Sequence, residues 1–297
     1  PFLFGFYLLK TLRVMLRIAI QSKGRLYEES MALLEEAGIK IPGGKRTLLV
    51  PARNFPVEVL FLRDDDIPES VASGVADVGI VGLNEVMEKR CPVGILKKLG
   101  FGKCRLSLAI PQDIDYIDRN WFSGKKIATS YPGILSDYLH KNGIVSDIHV
   151  ITGSVEIAPG IRLADAIFDI VSSGSTLVSN RLKEVETVVE SEAVLIGTDS
   201  ISPEKRGILD ELLFRFDSVQ AADDKKYILM NVPQKKLNDV LSVLPGIKSP
   251  TVMPLADKEW CSVHTVLDEK CFWEIINRLK TAGAEGILVL DIEKMIL

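Results

Sequence analysis

Nothing restricts the fold of this chain more than an alternation, carried out twice, of short apolar runs with amphipathic stretches separated by turn residues. Leu16–Gln21 (LRIAIQ) alternates, is β-branched and reads as a strand. A turn follows at Ser22-Lys23-Gly24-Arg25. Residues 26–37 then place Tyr27, Met31 and Leu34 on one helical face, with Gly38 as the stop. Further strand patterns lie at 47–50 and 57–62. Arg63-Asp64-Asp65-Asp66-Ile67-Pro68 opens a helix running to about Gly74, with Asp66 as its cap, and 77–81 is a short buried strand. The run at 105–110 closes this first unit, and Pro111 begins a polar connection to Asn120. A second unit repeats the pattern with a strand at 126–130, a turn at Tyr131-Pro132-Gly133, a helix at 134–141 and strands at 148–152, 166–171 and 193–196. Strands alternating with helices predict α/β layers with parallel strands, and two such units joined by a crossover predict two lobes around a cleft. Ligands of open α/β sheets bind at the carboxyl ends of the strands, so the loops after each strand are the places to search.

From about Lys225 the pattern changes. A strand at 227–232, a helix at 235–244, strands at 251–255 and 262–267, a helix at 270–282 and a strand at 286–291 give the order βαββαβ, the split ferredoxin-like unit. The expected division is 1–14 as a leader outside the fold, 15–110 as a first lobe with a return segment near 197–224, 111–196 as a second lobe, and 225–297 as a separate module. The leader reading rests on PFLFGFYLL, which is apolar but about half the ~20 residues that span a bilayer. Its basic neighbours Lys10, Arg13 and Arg17 follow the apolar stretch, the wrong order for a secretory signal. The 297 residues are long enough for two or three cores at roughly 100–200 residues each. Lys and Arg number 36 against 40 Asp and Glu, so the net charge of −4 gives no reason to expect nucleic acid or a membrane surface as partner. It leaves small polyanionic substrates open, since those need only a local cluster of donors. Cys91, Cys104, Cys261 and Cys271 show no C-x-x-C, and His140, His149 and His264 are too scattered for a zinc site or a triad. Reduced thiols in a cytoplasmic protein are expected.

The most informative segment is Asp165-Ala-Ile-Phe-Asp169-Ile-Val-Ser172-Ser173-Gly174-Ser175-Thr176-Leu177. A buried strand delivers two carboxylates, then small hydroxyl residues around a glycine, then a helix start. Backbone N–H groups of such a loop converge on one point and the hydroxyls add donors, which makes a phosphate cradle. Asp165 and Asp169 are placed for a sugar diol or a divalent cation beside that phosphate. The plainer reading is a Ser-rich turn with a helix cap. Gln21-Ser22-Lys23-Gly24-Arg25 follows the first strand; Lys23 offers a point charge and Arg25 a planar fork for phosphate oxygens, though alone it reads equally as a solvated basic turn. Arg63, at a strand's carboxyl end, is a functional candidate where Asp66 has a structural role. Asp77 precedes a glycine-lined strand end at Gly79 and Gly82 where a flat ring can approach. No Walker A, G-x-G-x-x-G or G-x-S-x-G pattern is present, so P-loop hydrolysis and hydride transfer lose support and a transferase gains it.

At these residues the chain resembles the ATP phosphoribosyltransferase family in its long form. The likeness runs from Leu16 to Leu297 and rests on LRIAIQSKGRL, RDDDIP, GVADVGIVG, ADAIFDIVSSGSTL, LKEVE and the tail SPTVMPLAD…GILVLDIEKM. It implies an α/β fold with a bilobal, periplasmic-binding-protein-like catalytic core and a C-terminal βαββαβ ferredoxin-like (ACT-like) regulatory domain. The implied reaction joins N1 of ATP to the anomeric carbon of phosphoribosyl pyrophosphate, releases pyrophosphate, uses Mg²⁺ and opens histidine biosynthesis. The resemblance assigns the 5′-phosphate to Ser172, Ser173, Gly174, Ser175 and Thr176, and the ribose hydroxyls to Asp165, Asp169 and Glu156. The departing pyrophosphate falls to Mg²⁺ with Lys23, Arg25 and Arg63, Lys23 and Arg63 being the expected catalytic residues. ATP is expected along Gln21, Ser22, Lys23, Gly24, Arg25, Asp77 and Gly82, and the cation between substrate phosphates and Asp165 or Asp169. By the same resemblance L-histidine binds the tail at Asn231, Thr251 and Gly286 and exchanges a homodimer for a hexamer. The family pattern has glycine where this chain has Arg162. The rival readings are a non-catalytic bilobal solute-binding protein, which would need a secretory signal, and an amino-acid sensor with a relic core, which would show a damaged cradle.

Overall fold

A computed structural model describes residues 14–43, 47–245 and 250–296. The leader expected at 1–14 therefore lies, apart from Val14, outside the described residues. The chain divides into two compact units at Glu211/Leu212, inside one long helix.

The first unit carries two sheets. In the first, β1 (Leu16–Gln21) is central, and Leu16, Ile18, Ala19 and Ile20 are all fully buried, which is why this strand reads as an almost unbroken apolar run. β3 (Val57–Leu62) and β4 (Val78–Gly82) flank β1 in parallel, and β2 (Leu49–Pro51) runs antiparallel on β3. β11 (Ala193–Gly197) then joins antiparallel to β4 and to β5 (Gly94–Lys98), giving the order β2-β3-β1-β4-β11-β5. Helices α1 (Arg25–Glu36), α2 (Ile67–Ala72) and α3 (Leu83–Lys89) connect these strands. Gly79 lets α2 lie against the sheet: a Cβ there would stand 2.6 Å from Ile67 Cγ2 and 3.0 Å from Val71 Cγ2.

The second sheet has the order β10-β6-β9-β7-β8, formed by β6 (Cys104–Pro111), β7 (Lys126–Thr129), β8 (Asp147–Val150), β9 (Ala166–Val171) and β10 (Leu182–Ser191). Here β7, β8 and β9 are parallel, and β6 is antiparallel to both β9 and β10. Helix α4 (Pro132–Lys141) follows β7 and α5 (Ser175–Ser179) follows β9. A core of Leu106, Leu108, Phe122, Ile127, Leu135 and Phe168 fills one face of this sheet.

The chain crosses from the first sheet to the second between β5 and β6 and returns at Glu192, between β10 and β11. The two crossings lie side by side, with Leu99 N–H donating to Ala193 O (2.9 Å) and Ala193 N–H to Phe101 O (2.9 Å). This corrects the expected lobe boundaries: the run at 105–110 belongs to the second sheet and 193–196 to the first. Both sheets are mixed, with antiparallel strands beside the expected parallel ones. β10 and β5 escape the sequence pattern since LKEVETVVES and GILKK carry charges on half-exposed faces and β10 is interrupted by register shifts.

Helix α6 (Pro203–Ala222) leads into the second unit. There β12 (Lys225–Pro233), α7 (Leu237–Val243), β13 (Thr251–Pro254), β14 (Trp260–Asp268), α8 (Glu269–Ala282) and β15 (Glu285–Asp291) form an antiparallel sheet of order β13-β14-β12-β15, the ferredoxin-like arrangement. Ile228, Met230, Val232, Cys261 and Val263 pack one face against Val240, Phe272, Ile275 and Leu279 of α7 and α8. The opposite face is open.

Candidate active site

Parallel strands put the carboxyl ends of β1, β3 and β4 along one edge of the first lobe, and those of β7 and β9 along one edge of the second. The edges face each other, because Arg25 Nη1, at the start of α1, donates to Ser172 Oγ (3.3 Å) just beyond β9. The cleft lies between them.

In the second lobe the chain leaves β9 at Val171 and turns through Ser172 and Ser173 to Gly174, whose φ of +81° belongs to the left-handed region and calls for glycine. Ser173 Oγ lies 3.0 Å from Ser175 Oγ and accepts weakly from Ser175 N–H (3.4 Å). Among the described residues the amides of Ser173, Gly174 and Thr176 donate to no protein acceptor, as expected of a loop running into the first turn of a helix. Asp169, on the last turn of the strand before this loop, accepts from its neighbour Ile170 N–H (2.8 Å). Burial pushes its carboxyl up to about 6, and the charge of Glu156, on a 3₁₀ turn at Val155–Ile157, adds to the rise. Glu156 is thus the carboxylate whose charge is felt at Asp169.

Asp165 does not. It precedes β9 and accepts from Lys126 N–H (2.9 Å) at the beginning of β7. Seven residues of extended chain separate it from Ser172, about 23 Å, so its expected roles toward ribose and cation are withdrawn. Asp77 is displaced for the same reason. It precedes β4, where its carboxylate accepts from Arg17 N–H (2.8 Å) and pairs with Lys205 Nζ (2.8 Å) of α6, a structural tie at the amino edge of the sheet. Gly82 does reach the carboxyl edge, but the space left by its missing Cβ is taken by Asn84 Oδ1 and not by a ring. Asp66 accepts no capping hydrogen bond through its side chain, which corrects the cap expected of it.

Lys23 and Gly24 lie in the turn after β1, both exposed, with Gly24 at φ +92°; Gln21 ends the strand and Ser22 follows. Arg25 pairs with Glu29 Oε1 (3.2 Å) as well as Ser172. Arg63 follows β3 with its side chain 71% exposed, its Nε 3.2 Å from Asp65 Oδ1. The cations therefore stand on one lobe and the Ser/Gly loop on the other.

Sequence reasoning missed a buried polar cluster below the cleft. Tyr131, directly after β7, donates to Glu85 Oε1 (2.9 Å); Asn84 Nδ2 donates to the same oxygen (3.0 Å), and Ser191 Oγ donates to Asn84 Oδ1 (2.8 Å). Burial pushes Glu85 and Tyr131 upward, which keeps the phenol a donor. Glu88, one turn on, accepts from Gly133 N–H (2.8 Å) and Ile134 N–H (2.9 Å) at the start of α4. The signal available was position alone: Asn84, Glu85 and Glu88 come after β4 and Tyr131 after β7, while Ser191 is the last residue of β10.

In the second unit the expected effector residues share the open face of the sheet. Gly286, at φ +54° where β12 and β15 shift register, would bring a Cβ to 3.3 Å from Asn231 Nδ2. Thr251 pairs across from His264, two strand spacings (~10 Å) from β12. Between them His264 Nδ1 shares a hydrogen with Tyr227 Oη (2.7 Å) and Nε2 with Ser262 Oγ (2.9 Å).

Lobes, cleft and loop define a class, a bilobal α/β transferase acting on a phosphorylated substrate, with a small α+β module appended. Residues 63–218 match the model of the family described as ATP phosphoribosyltransferase, and 222–294 that of the HisG C-terminal domain. The chain belongs to the ATP phosphoribosyltransferase family in its long form, and is a pentosyl-transferring enzyme of the first step of histidine biosynthesis. Proteins named ATP phosphoribosyltransferase from Bacteroides fragilis (strain YCH46) and Phocaeicola vulgatus are 70% and 71% identical to it over 283 residues, 95% of this chain and 100% of theirs. Among solved structures, the ATP phosphoribosyl transferase (HisG:HisZ) complex from Thermotoga maritima superposes with a TM-score of 0.59 at 27% identity, covering 68% of this chain and 96% of that one.

Proposed function

We propose that the cleft transfers the phosphoribosyl group of phosphoribosyl pyrophosphate to N1 of ATP. The N1–C1′ bond forms, the bond from C1′ to the pyrophosphate oxygen breaks, and pyrophosphate leaves with the electron pair. The observation that carries the reading is the 172–176 loop, with the amides of Ser173, Gly174 and Thr176 donating to no protein acceptor among the described residues, standing after β9 beside Asp169 and reached by Arg25 from the facing lobe. The loop holds the 5′-phosphate. Asp169 and Glu156, not Asp165, accept from the ribose hydroxyls. Arg25, Lys23 and Arg63 face the charge that develops on the leaving group, and a donor preorganised in this way typically contributes ~10²–10³ in rate. No protein nucleophile is required.

Two carboxylates beside substrate phosphates are the hard oxygen donors that suit Mg²⁺, which binds such sites through one or two carboxylates and the phosphates themselves. When bound, the ion neutralises pyrophosphate charge. Asp169, with Glu156, would hold it. Asp165 is too distant.

The second unit binds L-histidine on its open face near Asn231 and Gly286, and the protein works as a homo-oligomer exchanging dimer and hexamer in the cytoplasm. No helix among the described residues is long and apolar enough to cross a membrane. Incubation with ATP, phosphoribosyl pyrophosphate and Mg²⁺ should yield phosphoribosyl-ATP. Gly174→Val forces a β-branched residue to φ +81° and should abolish phosphoribosyl pyrophosphate binding with cooperative unfolding retained; calorimetry showing unchanged affinity would sink the cradle reading.

A further inference from the structure

We infer that Arg105, clamped by Glu184, is a positioning residue that aims the first amide of the 172–176 loop for phosphoribosyl transfer. The inference rests on that loop being the 5′-phosphate cradle.

β6 lies between β9 and β10, and Arg105, its second residue, stands opposite Val171, the last residue before the loop. Its guanidinium uses two edges. Nε and Nη2 donate to Oε1 and Oε2 of Glu184 as a bidentate fork, and Nη1 donates to the carbonyl oxygen of Ser172 (3.1 Å). Glu184 accepts further from Ser107 Oγ (2.7 Å) and Thr187 Oγ1 (3.1 Å). So many donors hold this carboxyl at about 2, Arg105 first among them, and the fork persists throughout the neutral range. A planar guanidinium fixed on one edge by two bonds has no rotational freedom left on the other. Its remaining donor is therefore delivered to Ser172 O by geometry.

The consequence follows from peptide planarity. Ser172 C=O and Ser173 N–H belong to one trans peptide and point in opposite directions. Pinning the carbonyl toward β6 aims the Ser173 amide away from β6, on the side where the loop opens. The positive charge at the oxygen also polarises the peptide and strengthens that N–H as a donor. Arg25 meanwhile holds the hydroxyl of the same residue from the opposite lobe. Ser172 is thus fixed at two atoms by two arginines, while Arg105 itself is directed at protein groups and not at substrate. Glu184 lies in the LKEVE segment, which had no role in the sequence reading beyond resemblance.

The test compares full-length Arg105→Ala, Arg105→Lys and Glu184→Gln with Gly174→Val, measuring both Michaelis constants, turnover and thermal midpoint. A lost hydrogen bond to a charged group predicts that Arg105→Ala raises the KM for phosphoribosyl pyrophosphate about tenfold or more, with the KM for ATP within about twofold. Arg105→Lys, which keeps charge without the fork, should recover part of the loss, and Glu184→Gln should show a smaller shift of the same sign. If Arg105→Ala leaves the phosphoribosyl pyrophosphate KM unchanged while Gly174→Val loses binding, the positioning role falls and the cradle stands. If Gly174→Val also binds normally, the cradle reading has failed and this inference with it. Should Arg105→Ala not fold, Arg105→Lys decides: both Michaelis constants moving together, or neither moving, overturns the proposal.

Discussion

Asp169 is a carboxyl raised in the folded state, and the sign of its effect on stability follows directly. Unfolded, it ionises near 3.9; folded, near 6. Between these values the unfolded chain releases the proton first, so stability should fall as pH rises from 4 to 6 and level off above, by at most about 3 kcal/mol. Asp169→Asn should remove this slope in urea titrations at several pH values, and should leave the variant more stable than the parent above pH 6. The kcat/KM for phosphoribosyl pyrophosphate should climb through about pH 6 in the parent and lose that limb in the variant. A second residue tests backbone strain. Arg162, which stands where the family pattern has glycine, takes φ +61°, a conformation costing a side-chain-bearing residue ~1 kcal/mol or more. Arg162→Gly should therefore raise stability by about 0.5–1 kcal/mol, read as a higher urea midpoint with an unchanged slope.

Elements meet across the cleft through their ends. Helix α4 begins at Pro132 after Tyr131, which makes no capping hydrogen bond with its side chain. The cap is supplied by Glu88 of α3, from the other lobe, and Gly133 admits it: a Cβ there would stand 3.0 Å from Glu88 Oε1. Loss of a cap costs about 0.5–2 kcal/mol, so Glu88→Ala should destabilise by that amount. Asp66→Ala, which removes no cap, should stay within about 0.5 kcal/mol. Equal losses in the two variants, measured by denaturant unfolding, would contradict this account. The same scale explains the misplaced acids. Asp165 and Asp77 lie close in sequence to functional loops, but each belongs to the amino end of a strand whose carboxyl end bears the loop.

For the whole molecule, the catalytic motifs fall in the first unit and the expected effector residues in the second. A ligand confined to the second unit can slow the reaction only by favouring one arrangement of the assembly over another, in proportion to its differential affinity. Inhibition by L-histidine should therefore be non-competitive with phosphoribosyl pyrophosphate. Asn231→Ala should weaken histidine binding at least about tenfold by calorimetry; inhibition relieved by excess phosphoribosyl pyrophosphate would place the effector in the cleft instead.

By itself the sequence determined what depends on neighbours along the chain. Leu16–Gln21 is a strand because its apolar run is buried on both faces, the tail is βαββαβ because each element keeps one period throughout, and Gly174 sits where the backbone turns left-handed. Only the tertiary structure decided which strand belongs to which sheet, since β6 and β11 change lobes through pairings with residues up to about 120 positions away, Gly197 opposite Val78 being the farthest. It also decided which acids meet. Four residues of extended chain carry Asp165 ~13 Å from Asp169, so Asp165 is tied to Lys126 N–H at the amino edge of the sheet while Asp169 lies two residues from the end of β9 that bears the loop. Arg105 and Glu184, 79 residues apart, close on each other beside Ser172.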